Sequence, residues 1–327
     1  MDFMVDIQIR PPVEKIGYQH NIMVVGSCFT EHIGGRLANL KFPVVQNPNG
    51  ILFDPLSVCR SLASYIAAKQ YKAEELIELN GLWQSWQHHS KYSGLNVQEV
   101  LDKINQSQQA AHKFLKQSDW LIITLGSAFF YRLAATGEPV ANCHRAPAQS
   151  FIKHLTEIDE IITSMDGCIR QVFTFNPGLK IILTISPVRH IREGLVENNR
   201  SKSRLIEAVH QLVEKYESVY YFPAYELVID VLRDYRFFDI DLVHPNYAAT
   251  EFVYEKFVEY FIEKDASRLM VEIKDILNAY RHRPLHATSG AHTNFLKAYL
   301  KKTQQFQQKN PQFDFTQELK YFSRNAV

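Results

Sequence analysis

The chain has almost no net charge: 36 Lys and Arg stand against 35 Asp and Glu, a formal balance of +1. So even a balance gives no field to attract nucleic acid or an acidic membrane surface. Long apolar runs are missing as well. No stretch approaches about 18 uninterrupted apolar residues, so no membrane span is expected. The segment Met1-Asp2-Phe3-Met4-Val5-Asp6 has neither a basic region nor a long apolar one, so no secretory signal is expected either. Cysteine is scarce. Cys28, Cys59, Cys143 and Cys168 lie far apart and form no C-x-x-C pair, the pattern of four reduced thiols in a cytoplasmic protein. No His/Cys group has zinc-ligand spacing, and neither G-x-G-x-x-G nor a P-loop is present. No metal and no other cofactor is therefore expected.

What the chain does have is apolar bulk. Of 327 residues 46% are hydrophobic and 22% charged, with 21 Phe, 16 Tyr and 3 Trp. That is globular usage and excludes a disordered chain. A prior of about 150 residues per domain suggests two domains, although α/β folds often run longer as one. Five short apolar runs read as strands: Ile22–Val25, Phe42–Val45, Trp120–Leu125, Lys180–Ile185 and Val219–Phe222. Most are continuous, which suits strands covered on both faces. Between them lie helical patterns at Glu31–Leu40, Pro55–Lys69, Val97–Lys116, Ile152–Phe173 and Asn199–Tyr216. Strand and helix in alternation imply right-handed βαβ units and a parallel sheet. Asn246–Phe261 reads as a last helix, with Pro245 at its start.

Residues 73–94 fit no βα unit and read as an insertion or lid. The periodicity breaks near His282–His292. The expected division is an α/β domain over 1–285 and a helical extension over 286–327. Within that extension Thr293–Phe306 and Pro311–Tyr321 look partly helical.

In an open parallel sheet ligands bind beyond the carboxyl ends of the strands. Each strand here runs into small or polar residues: Gly26-Ser27-Cys28-Phe29-Thr30, then Asn47-Pro48-Asn49-Gly50, then Gly126-Ser127, then Ser186-Pro187-Val188-Arg189-His190. Asp239-Ile240-Asp241-Leu242-Val243-His244-Pro245 precedes the last helix. A nucleophile on a tight strand-to-helix turn meets unpaired N–H groups that can stabilise a thiolate or an oxyanion. Asp241 and His244, three residues apart in one loop, suit a carboxylate that orients an imidazole.

These residues resemble the GSCFA family, a branch of the SGNH (GDSL-type) hydrolase superfamily. The resemblance rests on Gly26-Ser27-Cys28-Phe29-Thr30, Asn47-Pro48-Asn49-Gly50, Asn142-Cys143-His144, Ser186-Pro187-Val188-Arg189-His190, Asn198-Asn199-Arg200, Leu232-Arg233-Asp234-Tyr235-Arg236 and Asp241–Pro245. It spans roughly the first three-quarters of the chain. It implies a three-layer flavodoxin-like fold, a five-stranded parallel sheet of order 2-1-3-4-5 with helices on both faces, followed by the helical appendage. It also implies ester hydrolysis or acyl transfer, often of acetyl groups on carbohydrates. The superfamily's G-D-S becomes Gly26-Ser27-Cys28, so Cys28 stands at the nucleophile position, with Ser27 as the alternative. His244 takes the place of the base and Asp241 that of its orienting acid. Cys28, Gly50 and Gly126 fall at oxyanion positions. The superfamily's third-block asparagine is missing, and Asn142 is the candidate to replace it.

Other residues carry two readings each. Arg189 and His190 could clamp a substrate anion or form a surface ion pair. Asn142, Cys143 and His144 could contact substrate or fix a loop. Trp83, Trp86, His88 and His89 could stack on a sugar or pack in a core. A thiol at a helix N-terminus beside His244 is expected to ionise more easily than a serine hydroxyl. The expected partner is a small-molecule or saccharide acyl ester, with no nucleic acid, and a homo-oligomer is left open. A non-catalytic binding module on the same fold is the competing expectation.

Overall fold

Strands buried on both faces need continuous apolar runs, and the computed structural model uses them as a central sheet. It describes residues 4–286 and 288–325; residues 1–3 of the amino-terminal segment, Ala287 of the boundary loop and residues 326–327 lie outside the described residues. In chain order the first half contains β1 (Ile22–Gly26), α1 (Thr30–Asn39), β2 (Val44–Gln46), α2 (Pro55–Ile66), β3 (Ile77–Leu79), β4 (Leu82–Gln84), α3 (Val97–Lys116) and β5 (Trp120–Leu125). Next come β6 (Phe129–Leu133), β7 (Pro139–Val140), β8 (Phe151–Leu155), α4 (Ile158–Phe175), β9 (Lys180–Ile185), α5 (Leu195–Lys215) and β10 (Val219–Phe222). A short α6 (Ala224–Glu226), α7 (Tyr247–Phe261), α8 (Lys264–Arg281), α9 (Gly290–Lys309) and α10 (Thr316–Asn325) complete the chain.

The main sheet has the order β10-β9-β5-β1-β2, all parallel, with Ile22 opposite both Val44 and Trp120. Counting only its own strands, this is the order 2-1-3-4-5. Alternate side chains serve opposite faces. Ile22, Val24, Trp120 and Ile122 pack with α1, α7 and α8, while Met23, Val25, Leu121 and Ile123 pack with α2, α4 and α5. Three layers result. Helix starts carry polar caps: Asp54 accepts from the Ser57 N–H at 2.8 Å before Pro55, and Asn246 accepts from the Ala249 N–H at 3.1 Å. Asn246 is thus the cap of α7, and Pro245 lies just outside the helix rather than starting it.

One expectation is corrected. Residues 152–155 are not helical. They belong to β8, which pairs antiparallel with β6, itself paired with β7. Apolar residues at 152, 155, 158, 161 and 162 imitate a helical period, but cross-strand pairs Phe129/Leu155 and Tyr131/Lys153 decide for a strand. Within residues 73–94, which fit no βα unit, β3 and β4 form a hairpin whose turn, Asn80-Gly81, has positive φ at both residues. Residues 264–281, assigned no element from the sequence, form α8.

The carboxyl-terminal helices dock on α8 and on the segments flanking β1 and α1. Tyr18 meets Phe313 edge-on at 4.6 Å, and Lys41 binds Glu318 at 3.0 Å. Phe306, Phe313, Phe315 and Phe322 are buried there, each contributing on the order of 1.5–3 kcal/mol. Among the described residues no helix is long and apolar enough to cross a membrane.

Candidate active site

The turn after β1 is shaped by its neighbour β5. Gly26 has φ +135°, and a side chain there would be driven into the Thr124 carbonyl oxygen, so only glycine fits. The Ser27 N–H donates to Thr124 O at 3.0 Å, and Ser27 is 1% exposed. Its hydroxyl is buried without a hydrogen-bond partner among the described residues. The next residue, Cys28, is half-buried at the start of α1. Ser27 is thus buried, whereas its neighbour Cys28 is only partly so.

The thiol does not have the easy ionisation expected of a helix N-terminus. Burial pushes it above its ordinary value and the Glu31 carboxylate adds to this, while the N–H groups of Phe29 and Cys28 and the Lys202 ammonium pull the other way. Desolvation outweighs the helix terminus.

The loop before α7 closes on itself. Asp241 Oδ1 accepts from the N–H groups of Val243 at 2.9 Å and His244 at 3.0 Å, with Leu242 between them at φ +59°. Asp241 Oδ2 lies 2.6 Å from His244 Nδ1. Both side chains are about half-exposed, 46% and 50%. The hydrogen bonds from the His244 backbone and ring, and from Val243, hold the Asp241 carboxyl down at about 2. Burial lowers the pKa of His32, on the first turn of α1 that follows Cys28, and the neighbouring charges of Arg36 and His244 add to this.

Gly50 and Gly126, expected as oxyanion donors, have their N–H groups occupied. Gly50 donates to Asn47 O at 2.7 Å and Gly126 to Phe53 O at 2.8 Å. Both are tight turns whose N–H groups close the turn or lock it to the next loop, which leaves neither pointing at a ligand. Gly50 does need to be glycine, since at φ +81° a side chain would run into His89.

A cleft of about 450 Å³ lies alongside, lined among others by Phe53, Tyr131, Asn142, Arg189, His190 and Val243. Arg189 is stacked on Phe238 at 4.1 Å, and its N–H donates to Val243 O, tying the loop after β9 to the Asp241–His244 loop. The His190 ring reaches Gly126 O at 3.1 Å, which makes Nε2 the donor, and burial lowers its pKa to about 4. His144 faces away from the expected substrate position: it is buried, with Nε2 donating to Ser85 O at 2.8 Å. Of the aromatic insertion residues, His88 is fully buried and bonded to Ser85, so it packs rather than stacks on a ligand. A second groove of about 560 Å³ between α1, α7 and α8 is set by Arg36, which is already bonded to Glu251 at 2.6 Å.

Sequence reasoning missed Ser201 and Lys202, and it picked out Asn198 only as part of the resemblance, with no role assigned. They share one face of α5 and meet the strand ends: Asn198 holds the His190 N–H at 2.9 Å, and Ser201 accepts from the Ala128 N–H at 2.8 Å. Lys202 Nζ donates to both Gly126 O and Ser186 O at 2.6 Å. The signal was present. The buried stripe of Leu205, Ala208, Val209 and Leu212 continues backwards onto 198, 201 and 202, where it turns polar.

No curated protein matches the sequence. Among solved structures, one similar chain is a Streptococcus pneumonia protein provisionally described as a platelet activating factor. It is 15% identical, with a TM-score of 0.37 over 74% of this chain and 84% of that one. Another is an acetyl xylan esterase from the rumen bacterium Butyrivibrio proteoclasticus, 11% identical, with a TM-score of 0.37 over 74% of this chain and 63% of that one. Both likenesses are too distant to bear on activity. The sequence families are more direct, since residues 21–257 match the GSCFA family and residues 273–326 match the C-terminal domain of GSCFA domain proteins. With the glycine-serine-cysteine turn, the 2-1-3-4-5 sheet and the Asp241–His244 loop at its carboxyl edge, this chain belongs to the GSCFA family.

Proposed function

We propose that the chain hydrolyses small-molecule or saccharide acyl esters, or transfers their acyl groups, with Cys28 as nucleophile, His244 as base and Asp241 orienting it. The observation that carries this reading is the 2.6 Å contact between Asp241 Oδ2 and His244 Nδ1. A carboxylate accepts only, so Nδ1 holds the proton and Nε2 keeps a lone pair for proton abstraction. His244 Nε2 takes the Cys28 proton, and the sulfur adds to the ester carbonyl carbon. The tetrahedral oxyanion then collapses, expelling the alkoxide, which receives the proton from His244. Water or a sugar hydroxyl, deprotonated by His244, attacks the thioester and frees Cys28. The N–H of Cys28 is the favoured oxyanion donor, with Asn142 on the cleft wall as the second, because the Gly50 and Gly126 donors are occupied. Arg189 at the cleft supports a role in substrate binding. All four thiols are free, in keeping with a cytoplasmic setting.

An acyl-transfer probe with mass-spectrometric mapping tests this. A label on Cys28 that disappears in His244→Ala is the expected result. A raised thiol and two occupied glycine donors favour the second reading, a binding module. Absence of any acyl adduct across short and long acyl probes would leave that one standing.

A further inference from the structure

The cleft beside the Asp241–His244 loop is lined by two arginines, Arg189 and Arg192, from the segment that follows β9. The Arg189 guanidinium lies 4.1 Å from the Phe238 ring centroid and 5.1 Å from that of Tyr235. Such stacking engages the face of the guanidinium and leaves its N–H edges to bond in the plane. Among the described residues those edges make one long hydrogen bond, Nη1 to Leu242 O at 3.4 Å. Neither arginine forms an ion pair with a carboxylate among the described residues. The other charges of the cleft wall have partners. Lys153 and Glu193 pair with each other, and Asp54 is turned to the start of α2, where it accepts from the Ser57 N–H at 2.8 Å. His190, held neutral by burial, gives its ring N–H to Gly126 O. In the loop before α7, Asp234 is taken by Arg236 and Asp241 by His244, while Asp239 forms no ion pair among the described residues.

A guanidinium edge without a partner matches the oxygens of a carboxylate or phosphate, two N–H groups to two oxygens. Phe53, Phe129 and Tyr131 give the same cleft apolar walls, and a mostly apolar pocket with a few charged groups is how small-molecule sites fix orientation. The Arg189 N–H donates to Val243 O at 3.2 Å, and Val243 precedes His244, so this arginine is tied to the loop that presents the base. We propose that Arg189 and Arg192 form an anion subsite, and that the ester taken by this cleft carries a carboxylate or phosphate on its sugar part. The ester rests on the hydrolase reading above; recognition of the anion needs no chemistry at Cys28. Arg189 is the anchor, because stacking holds its fork in place before a ligand arrives. Arg192, which is exposed, supplies the second charge. With an overall balance of +1 the chain has no general attraction for anions, so the preference belongs to this cleft. An arginine that only braced the two loops would do so through its backbone and its stacked face, and its N–H edges would matter to no ligand.

The test reads binding first, with no ester present. The full-length protein is titrated with glucuronate, glucose 6-phosphate and glucose, and binding is followed by ligand-observed NMR. At least one acidic sugar should bind about tenfold or more tightly than glucose, which is what hydrogen bonds to a charged group supply. Added salt should weaken the acidic sugar and not glucose. The tighter of the two acidic sugars identifies the anion as carboxylate or phosphate. Arg189→Gln and Arg192→Gln should each bring the acidic sugar towards the affinity of glucose. Arg192 is exposed, so Arg192→Gln keeps the test open if Arg189→Gln does not fold. No preference for either acidic sugar over glucose overturns the proposal, and so does unaltered binding of the acidic sugar in either folded variant. With an acetylated form of that acidic sugar, both variants should raise KM far more than they lower kcat. Failure of the esterase reading is separate. It would appear as no turnover of any acetyl ester beside sugar binding that still depends on the two arginines.

Discussion

One carboxylate holds His244 twice: Asp241 Oδ2 lies 2.6 Å from the imidazole Nδ1, and Asp241 Oδ1 accepts the His244 backbone N–H at 3.0 Å. Ring and backbone are thereby tied to one group inside a four-residue loop. Nothing outside that loop is needed to present Nε2.

The first prediction comes from this relation. His244→Ala should lower turnover of an activated acetyl ester by about 10²–10⁴-fold. Its thermal melt should stay close to wild type, because the side chain is half-exposed. Asp241→Asn should also lower turnover, by releasing the imidazole tautomer. Asp241 stays ionised at any pH well above 2, so the acid limb of the rate profile should not belong to it. Near wild-type rates in purified His244→Ala would end the dyad.

A second prediction concerns the thiols. Cys28 and Cys143 are half-buried, whereas Cys59 and Cys168 are buried. A mild neutral alkylating reagent should label the first two well before the second two, and loss of turnover should track Cys28 alone. Cys28→Ala should be inactive. Ser27→Ala should keep measurable turnover, since the Ser27 hydroxyl points into the protein. The opposite pattern, with Ser27 essential and Cys28→Ala active, would move the nucleophile by one residue.

Gly26→Ala is the third. The residue has φ +135° and lies against the Thr124 carbonyl. Strained backbone of this kind costs on the order of 1–3 kcal/mol before the clash is counted. Urea denaturation should show the loss. In whatever remains folded, the Cys28 labelling rate should change more than that of Cys143, because the displaced turn is the one bearing Cys28.

Acid stability supplies a fourth. Burial lowers His88 to about 3 and His190 to about 4. Both are depressed from about 6.5, so the unfolded chain takes up these protons first and stability falls as pH drops from about 6.5 towards 4. Buried Asp54, raised to about 6, acts in the other direction over part of that window. Urea midpoints at about pH 7 and pH 4.5 should differ less in His88→Gln than in the wild type, by up to about 1.4 kcal/mol per pH unit. Equal slopes in the two proteins would show that His88 is not held neutral.

How far the sequence could be read depended on how local each interaction is. Trp120–Leu125 and Lys180–Ile185 are continuous apolar runs, and both are strands with those boundaries, because a strand covered on two faces has no alternation to hide. The Asp241–His244 contact was legible for the same reason, since it lies within one loop. Residues 151–155 are hard to read because the partner that makes them a strand, Phe129–Leu133, is distant in the chain and the apolar spacing fits a helix equally well.

The sequence by itself determined the alternation of strands and helices, the glycine turn that carries Ser27 and Cys28, and the dyad loop. Only the tertiary structure decided which of those two residues is the more buried, because Ser27 is held against β5. It also decided that the N–H groups of Gly50 and Gly126 are occupied, since their acceptors come from the folding of the loops after β2. Lys202 is the plainest case. Its place on the buried stripe of α5 is a matter of helical period, but its two carbonyl partners exist only where β5 and β9 end side by side.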